Sequence, residues 1–401
     1  MTTKRAPASA SVEHILDIDA LIDDRDQRII VCCGSGGVGK TTMSAAIGLR
    51  AAERGRRTVV LTIDPARRLA QSMGLEELDN EPRRVPGIDE SAGGCLDAMA
   101  LDMKRTFDEI VEAHSDPERT AAILANPFYQ SLSSSFAGTQ EYMAMEKLAQ
   151  LSKQAQAEGT WDLIIVDTPP SRSALDFLDA PERLGSFLDG QLMRLLAAPA
   201  RKGGRAGLRV LNIGVGVVSG VLNKILGAQI LDDVRTFIGS LDAMFGSFRE
   251  RADATYKMLS EPGTSFLVVS APEPDALREA AYFVDRLSAD DLPLAGLLVN
   301  RVHRPRATAI TADAAAAGAE RIDDLRSGVD AEQRASLDLT AVILRLHAQA
   351  VRRFQREQRL VDRFTAGYAS IPVLMVDALA QDVHDIDALR DVGNMFTTEQ
   401  A

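Results

Sequence analysis

Arg28–Ile29–Ile30–Val31–Cys32–Cys33–Gly34–Ser35–Gly36–Gly37–Val38–Gly39–Lys40–Thr41–Thr42 is the stretch on which the reading of the whole chain turns. An apolar run of β type passes into a glycine-rich turn, and Lys-Thr-Thr then opens an alanine-rich segment of helical composition. Gly34, Gly39, Lys40 and Thr41 occupy the fixed places of G-x-x-x-x-G-K-[ST]. Glycines carry no Cβ, so backbone N–H groups can close round phosphate oxygens, and a helix N-terminus adds partial positive charge. In that arrangement Lys40 reaches the β- and γ-phosphates, the Thr41 hydroxyl ligates Mg²⁺, and Thr42 donates to the α-phosphate. The stretch predicts a nucleotide phosphate site.

Outward from it, short Val-, Ile- and Leu-rich runs recur at Arg28–Cys33, Thr58–Ile63, Leu96–Leu101, Asp162–Val166, Ser265–Ser270, Gly296–Asn300 and Ile371–Val376. They are continuously apolar rather than alternating, the mark of strands buried on both faces of a parallel sheet. Helical stretches between them predict a doubly wound, mostly parallel α/β sheet with ligands beyond the carboxyl ends of its strands. Two helical inserts break the rhythm, residues 103–156 and 181–259, and together they predict a helical subdomain on a P-loop domain spanning residues 26–401. Residues 1–25 are expected to form a disordered tail, since Met1–Ser11 is polar, small-residue-rich and unlike a signal peptide. A third helical stretch, Ile310–Ala366, precedes the last strand; its Arg345–Arg363 portion reads as a solvated face with Leu346, Phe354 and Val361 turned inward.

Three further motifs fall at strand ends. Asp64, in Thr62–Ile63–Asp64–Pro65–Ala66, fits either a carboxylate that orients an attacking water or an Asp-Pro turn. Asp167 follows Ile-Ile-Val and fits a Walker-B aspartate holding the Mg²⁺ shell, or a helix cap at the strand exit. The following Thr168–Ser173 segment is a candidate nucleotide switch, and Arg172 within it fits a phosphate contact or a solvated helix start. Asn300 closes a strand, and its amide suits the edge of an adenine or a turn.

Composition narrows the function classes. The formal charge of −12 over 401 residues argues against a general nucleic-acid binder. Three cysteines, two of them adjacent, offer no disulfide framework and no metal quartet, which predicts a reducing, cytoplasmic setting. No window approaches the roughly 18 apolar residues of a membrane span. The five histidines are scattered without ligand spacing and receive no metal or catalytic role.

In this order, Gly34–Thr42, Asp64–Pro65–Ala66, Asp167–Thr168, Ala271–Pro272–Glu273–Pro274 and Val299–Asn300–Arg301 resemble the anion-transporting ATPases. That family includes the arsenite-pump ATPase and the guided-entry ATPase that delivers tail-anchored proteins. The resemblance runs over roughly residues 28–395 and is strongest to a branch that works as two paired paralogues. It implies an ATP- and Mg²⁺-dependent dimer that opens and closes as ATP is hydrolysed to ADP and phosphate. Lys40 and Thr41 would bind phosphate and metal, Asp64 would activate water, Asp167 would support the metal through water, and Asn300 would contact adenine. The second insert would form a groove for an apolar protein client; Leu192, Met193, Leu222, Ile225, Leu226, Met244 and Phe245 supply apolar residues there, with core packing as the other use.

Two departures matter. The family's loop usually begins K-G-G, its lysine crossing to the partner's phosphates, and here Ser35 holds that place. A short hydroxyl cannot supply charge in trans, which predicts a heterodimer or higher hetero-oligomer completed by a lysine-bearing paralogue. Turnover would be low in a homodimer. The guided-entry C-x-x-C is also missing, so no zinc is expected, and Cys32 and Cys33 read as buried hydrophobes rather than metalloid ligands. The remaining alternatives are a catalytically weak ATP-binding regulatory subunit and a partitioning-type ATPase. The amphipathic tail usual in the latter is not seen in Thr397–Ala401.

Overall fold

The computed structural model describes residues 15–64, 68–126, 129–130, 139–169, 250–325 and 329–397. Its centre is an eight-stranded sheet. The strands are β1 (Ile29–Gly34), β2 (Arg57–Thr62), β3 (Arg83–Arg84), β4 (Cys95–Ala100), β5 (Leu163–Asp167), β6 (Thr264–Ser270), β7 (Leu294–Val302) and β8 (Val373–Asp377). The spatial order is β3-β4-β2-β5-β1-β6-β7-β8, and only the β3–β4 pair is antiparallel. This is the doubly wound, mostly parallel α/β architecture that the apolar runs predict. β3, two arginines on the edge, has no apolar run to announce it.

β1 explains the layering. All its residues are buried, and successive side chains point to opposite faces. Ile30 and Cys32 pack with α2 (Lys40–Glu53) and α10 (Ile386–Asn394), through Ala45, Ala46, Leu49, Leu389 and Val392. Ile29, Val31 and Cys33 face the other layer, with α6 (Thr139–Glu158), α7 (Pro274–Ala289) and the end of α9 (Ala331–Gly367), through Met143, Phe283, Val361 and Phe364. Each such aliphatic or aromatic side chain contributes about 1.5–3 kcal/mol on burial. α2 lies so close to the sheet that a Cβ on Gly48 would stand 2.6 Å from Val60 Cγ2.

Five further helices are α1 (Ile18–Asp23), α3 (Arg68–Ser72), α4 (Met103–His114), α5 (Pro117–Leu124) and α8 (Ala312–Asp324), the last pairing with α9. Helical structure also covers residues 250–260, leading into β6. Among the described residues of 103–156, the helices are α4, α5 and the larger part of α6, with residues 129–130 also helical. Residues 170–249 lie outside the described residues, and with them most of the second insert and its seven apolar candidates, as do Arg172 and the switch beyond Pro169.

The tail expected over residues 1–25 needs correction. Residues 1–14 lie outside the described residues, but Ile15 bridges to Val373 and α1 follows, capped by Asp17. Ile18 and Ile22, one helical turn apart, are fully buried, and Asp19 and Asp23 pair with Arg50 and Arg54 of α2. An apolar i, i+4 pair is enough to seat a short helix that the polar residues before it conceal.

The stretch Ile310–Ala366 is two helices rather than one. α8 and the first half of α9 pack through alanines (Ala312, Ala315, Ala319, Ala341, Ala348), while Phe354 and Val361 turn to the sheet as expected. Leu346 does not. It is 60% exposed and shares its face with the exposed Leu339, Val342 and Ile343; among the described residues, this half of α9 packs on α8 rather than on the sheet. Among the described residues, no helix is long and apolar enough to cross a membrane.

Candidate functional site

The turn after β1 sits where the chain order reverses, with β5 on one side of β1 and β6 on the other. Gly34, Gly37 and Gly39 all have positive φ, at 149°, 77° and 94°, values that favour glycine. A Cβ on Gly34 would lie 2.0 Å from Val269 O of β6, and one on Gly39 would lie 2.3 Å from Asn300 Nδ2. Gly39 is also the N-cap of α2 and provides no side-chain cap. By contrast, Asp17, Asp102, Asp116, Thr311, Asp330 and Asp385 cap α1, α4, α5, α8, α9 and α10 with their side chains. The first turn of α2 is left with donors that suit an anion.

Lys40 is 5% exposed and lies across the turn, donating from Nζ to Gly34 O (3.0 Å) and Ser35 O (2.9 Å). Burial pulls its ammonium below the ordinary lysine range, and the nearby Asp167 and Asp64 carboxylates oppose the shift. Ser35 is itself buried.

Asp167, at the end of β5, is fully buried. Its Oδ2 accepts from Thr41 Oγ1 (2.8 Å) and Thr62 Oγ1 (2.9 Å), while Oδ1 has no hydrogen-bond partner among the described residues. Burial pushes its carboxyl up to about 6, against the two hydroxyl bonds and the Lys40 charge that favour ionisation. A buried carboxylate oxygen left over beside a hydroxyl fits a hard cation or its water shell. Thr41 and Asp167 are therefore the residues able to hold Mg²⁺. Thr168 follows, its N–H and hydroxyl both donating to Cys32 O.

Asp64 lies just past β2, half-buried, with its backbone N–H bonded to Thr62 Oγ1 (3.3 Å). Its carboxylate acts electrostatically on both Lys40 and Asp167. Residues 65–67 lie outside the described residues. From the first insert, Gln140 Nε2 donates to Ile63 O (2.9 Å), tying the start of α6 to the strand end that carries Asp64.

Asn300 faces the turn itself. Its Nδ2 donates to Val38 O (2.8 Å) and its Oδ1 accepts the Arg301 N–H (2.8 Å), while Arg301 Nη1 reaches Gly37 O (2.8 Å). The amide is thus engaged with backbone of the turn and of its own strand. Arg301 has φ 64°, a left-handed backbone that costs a non-glycine residue about 1–2 kcal/mol.

Gly34–Thr42, Asp64, Asp167 and Asn300 are thus gathered at one edge of the sheet. Thr62, Gln140 and Arg301 belong with them and the sequence reading missed them. For Thr62 a signal existed, a hydroxyl one residue from Ile63–Asp64. Gln140 and Arg301 act through distant contacts that no local pattern reveals.

Cys32 and Cys33 are buried in β1, and burial raises both thiols, Cys32 to about 12. Both remain protonated hydrophobes at neutral pH.

A sequence model described as "Anion-transporting ATPase" matches residues 27–313, from the first strand to the first residues of α8. The chain belongs to the anion-transporting ATPase family. The protein called ATPase GET3 of Eremothecium gossypii is 25% identical over 288 residues, which is 71% of this chain and 74% of that protein. The ATPase GET3 of Candida glabrata is 25% identical over 293 residues, 71% of this chain and 75% of its own. The ATPase GET3 of Malassezia globosa is 29% identical over a shorter 168 residues, 42% of this chain and 46% of its own.

Proposed function

We propose that this chain is a Mg²⁺-dependent ATPase subunit that binds ATP at Gly34–Thr42 and works as one half of a nucleotide-switched dimer. The observation that carries the reading is the pairing of Thr41 with a buried Asp167 whose second oxygen is left over, beside a helix N-terminus without a side-chain cap. The chain's own residues divide the work. Backbone N–H groups of the turn bind phosphate oxygens. Lys40 exchanges its carbonyl partners for phosphate and neutralises charge on the transferring group. Asp64 orients the attacking water and accepts its proton. Asp167 and Thr41 hold Mg²⁺, which when bound neutralises phosphate charge.

Ser35 favours pairing with a different, lysine-bearing paralogue. A charge clamp acting in trans is worth roughly 10³–10⁵ in rate in related phosphoryl-transfer enzymes, and Ser35 carries no charge. The assay is ATP turnover by the chain alone and mixed with such a paralogue. The reading expects mixing to raise turnover per site, and equal turnover in both would sink it.

Ser35 also favours a second reading, a regulatory subunit that binds ATP and turns over little. Asp64→Asn separates the two, since it abolishes hydrolysis at this chain's site only if that site is active. We further propose a cytoplasmic setting, resting on the three cysteines without a disulfide framework, and an apolar protein segment as client of residues 181–259, resting on the family resemblance. Photocrosslinking from Leu222 to a hydrophobic peptide tests the client, and labelling indifferent to nucleotide and to peptide sequence would count against it.

A further inference from the structure

We propose that Glu357 of α9 is a positioning residue for the phosphate loop, aiming two of its backbone donors through the bulge of β7. The inference rests on the reading of Gly34–Thr42 as an ATP site. A trans peptide unit is planar, with its C=O and the next N–H pointing in opposite directions. Whatever holds Gly37 O and Val38 O from outside therefore fixes the aim of the Val38 and Gly39 N–H groups. Arg301 and Asn300 hold those two carbonyls, each at 2.8 Å.

Both holders sit on a bulge. Between Val299 and Val302 β7 advances three residues, while β8 advances two, from Met375 to Asp377, so β7 carries one extra residue. The left-handed Arg301 lies within it. Backbone of this kind persists only where its surroundings over-determine it. Inside the bulge Asn300 Oδ1 takes the Arg301 N–H; just past it, Ala378 N–H donates to Val302 O. The next N–H, that of His303, donates to Glu357 Oε2 at 2.8 Å. Glu357 is buried and is itself fixed, because His303 Nδ1 (2.9 Å) and Arg353 Nε (3.0 Å) both meet its Oε1. A chain of short contacts thus runs from α9, through the bulge, to the carbonyl side of the phosphate loop.

The test is titration of the full chain with a fluorescent ATP analogue, with thermal melting beside it. Glu357→Ala should raise Kd roughly tenfold, the scale of one lost hydrogen bond to a charged group. Glu357→Gln keeps the carbonyl acceptor and should return Kd to within about threefold of wild type. His303→Ala keeps the backbone N–H that Glu357 grips and leaves Arg353 to hold the carboxylate, so Kd should rise by less than in Glu357→Ala, no more than about fourfold. Should Glu357→Ala not fold, Glu357→Asp carries the same test, its carboxylate one methylene short of the His303 N–H. An unchanged Kd in the alanine or aspartate variant, whatever the melting temperature does, overturns the proposal. So does a His303→Ala variant as weak as Glu357→Ala. Binding by wild type that Lys40→Ala abolishes upholds the ATP site independently; if wild type fails to bind, that reading falls and this one with it.

Discussion

Asp167 carries its charge at a cost. Its carboxyl is raised to about 6 by burial, above the ordinary 3.8. Below about pH 4 both folded and unfolded chains hold the proton. Between 4 and 6 only the folded chain keeps it, so stability falls as pH rises through that window and stays lowered above it. Asp167→Asn removes the titration. In nucleotide- and metal-free protein it should be more stable than wild type at pH 7.5 by about 1–3 kcal/mol, the gap closing by pH 4, as urea unfolding at both pH values would show. The same variant should lose Mg²⁺-dependent ATP turnover. Gly39→Ala tests the turn. It forces a Cβ to within 2.3 Å of Asn300 Nδ2 at a φ of 94°, and its strain of about 1–3 kcal/mol should weaken nucleotide binding roughly 5- to 150-fold, read by analogue titration. At this scale the sequence displayed Lys40, Thr41, Asp64 and Asp167 because the phosphate loop and the strand-then-aspartate pattern are local. Gln140 and Arg301 stayed hidden because their partners lie far along the chain.

Among elements, the parallel strands announced themselves, since a strand buried on both faces has no room for polar alternation. β3 did not, and α1 was lost behind a polar leader. Arg56 was equally invisible. Almost wholly buried at the start of the sheet, it donates to Asp162 Oδ1 (2.6 Å), Asp162 O (2.7 Å), Ile22 O (2.7 Å), Asp24 O (2.8 Å) and Gln27 O (2.7 Å). One guanidinium thus pins α1, the strand lead-in and the turn before β5. Arg56→Ala leaves Asp162 and several carbonyls without it, and should cost about 3–5 kcal/mol in urea unfolding. In contrast, Ile343→Ala on the exposed stripe of α9 should change stability by less than about 0.5 kcal/mol. Leu346 shows why the stripe was misread: helical spacing says which residues share a face, and only the length of sheet beneath α9 says which face is covered.

Over the whole molecule, the carboxyl edge of the sheet that carries the candidate site is assembled from residues between 34 and 301, so ATP binding there would engage most of the chain's length. Ser35 marks where the molecule stops being self-sufficient under the proposed function. Ser35→Lys restores the charge that the resemblance expects, and in the chain alone it should raise ATP turnover at least tenfold if two copies can pair. No change in a variant that still binds the analogue would mean that this chain does not pair with itself. Assembly was the least legible level, because an interface is written in two surfaces and one chain shows only one of them.

The buried cysteine pair leaves a practical opening. Cys32 and Cys33 are protonated and sealed inside β1, while Cys95 is half-buried at the start of β4, the edge of the sheet opposite the phosphate loop. With no other cysteine in the chain, a thiol-reactive dye added to the folded protein would mark one position, with no engineered substitutions and no disturbance of the nucleotide edge. Under the proposed function, energy transfer from that dye to a labelled partner subunit would report whether the pair opens and closes with nucleotide.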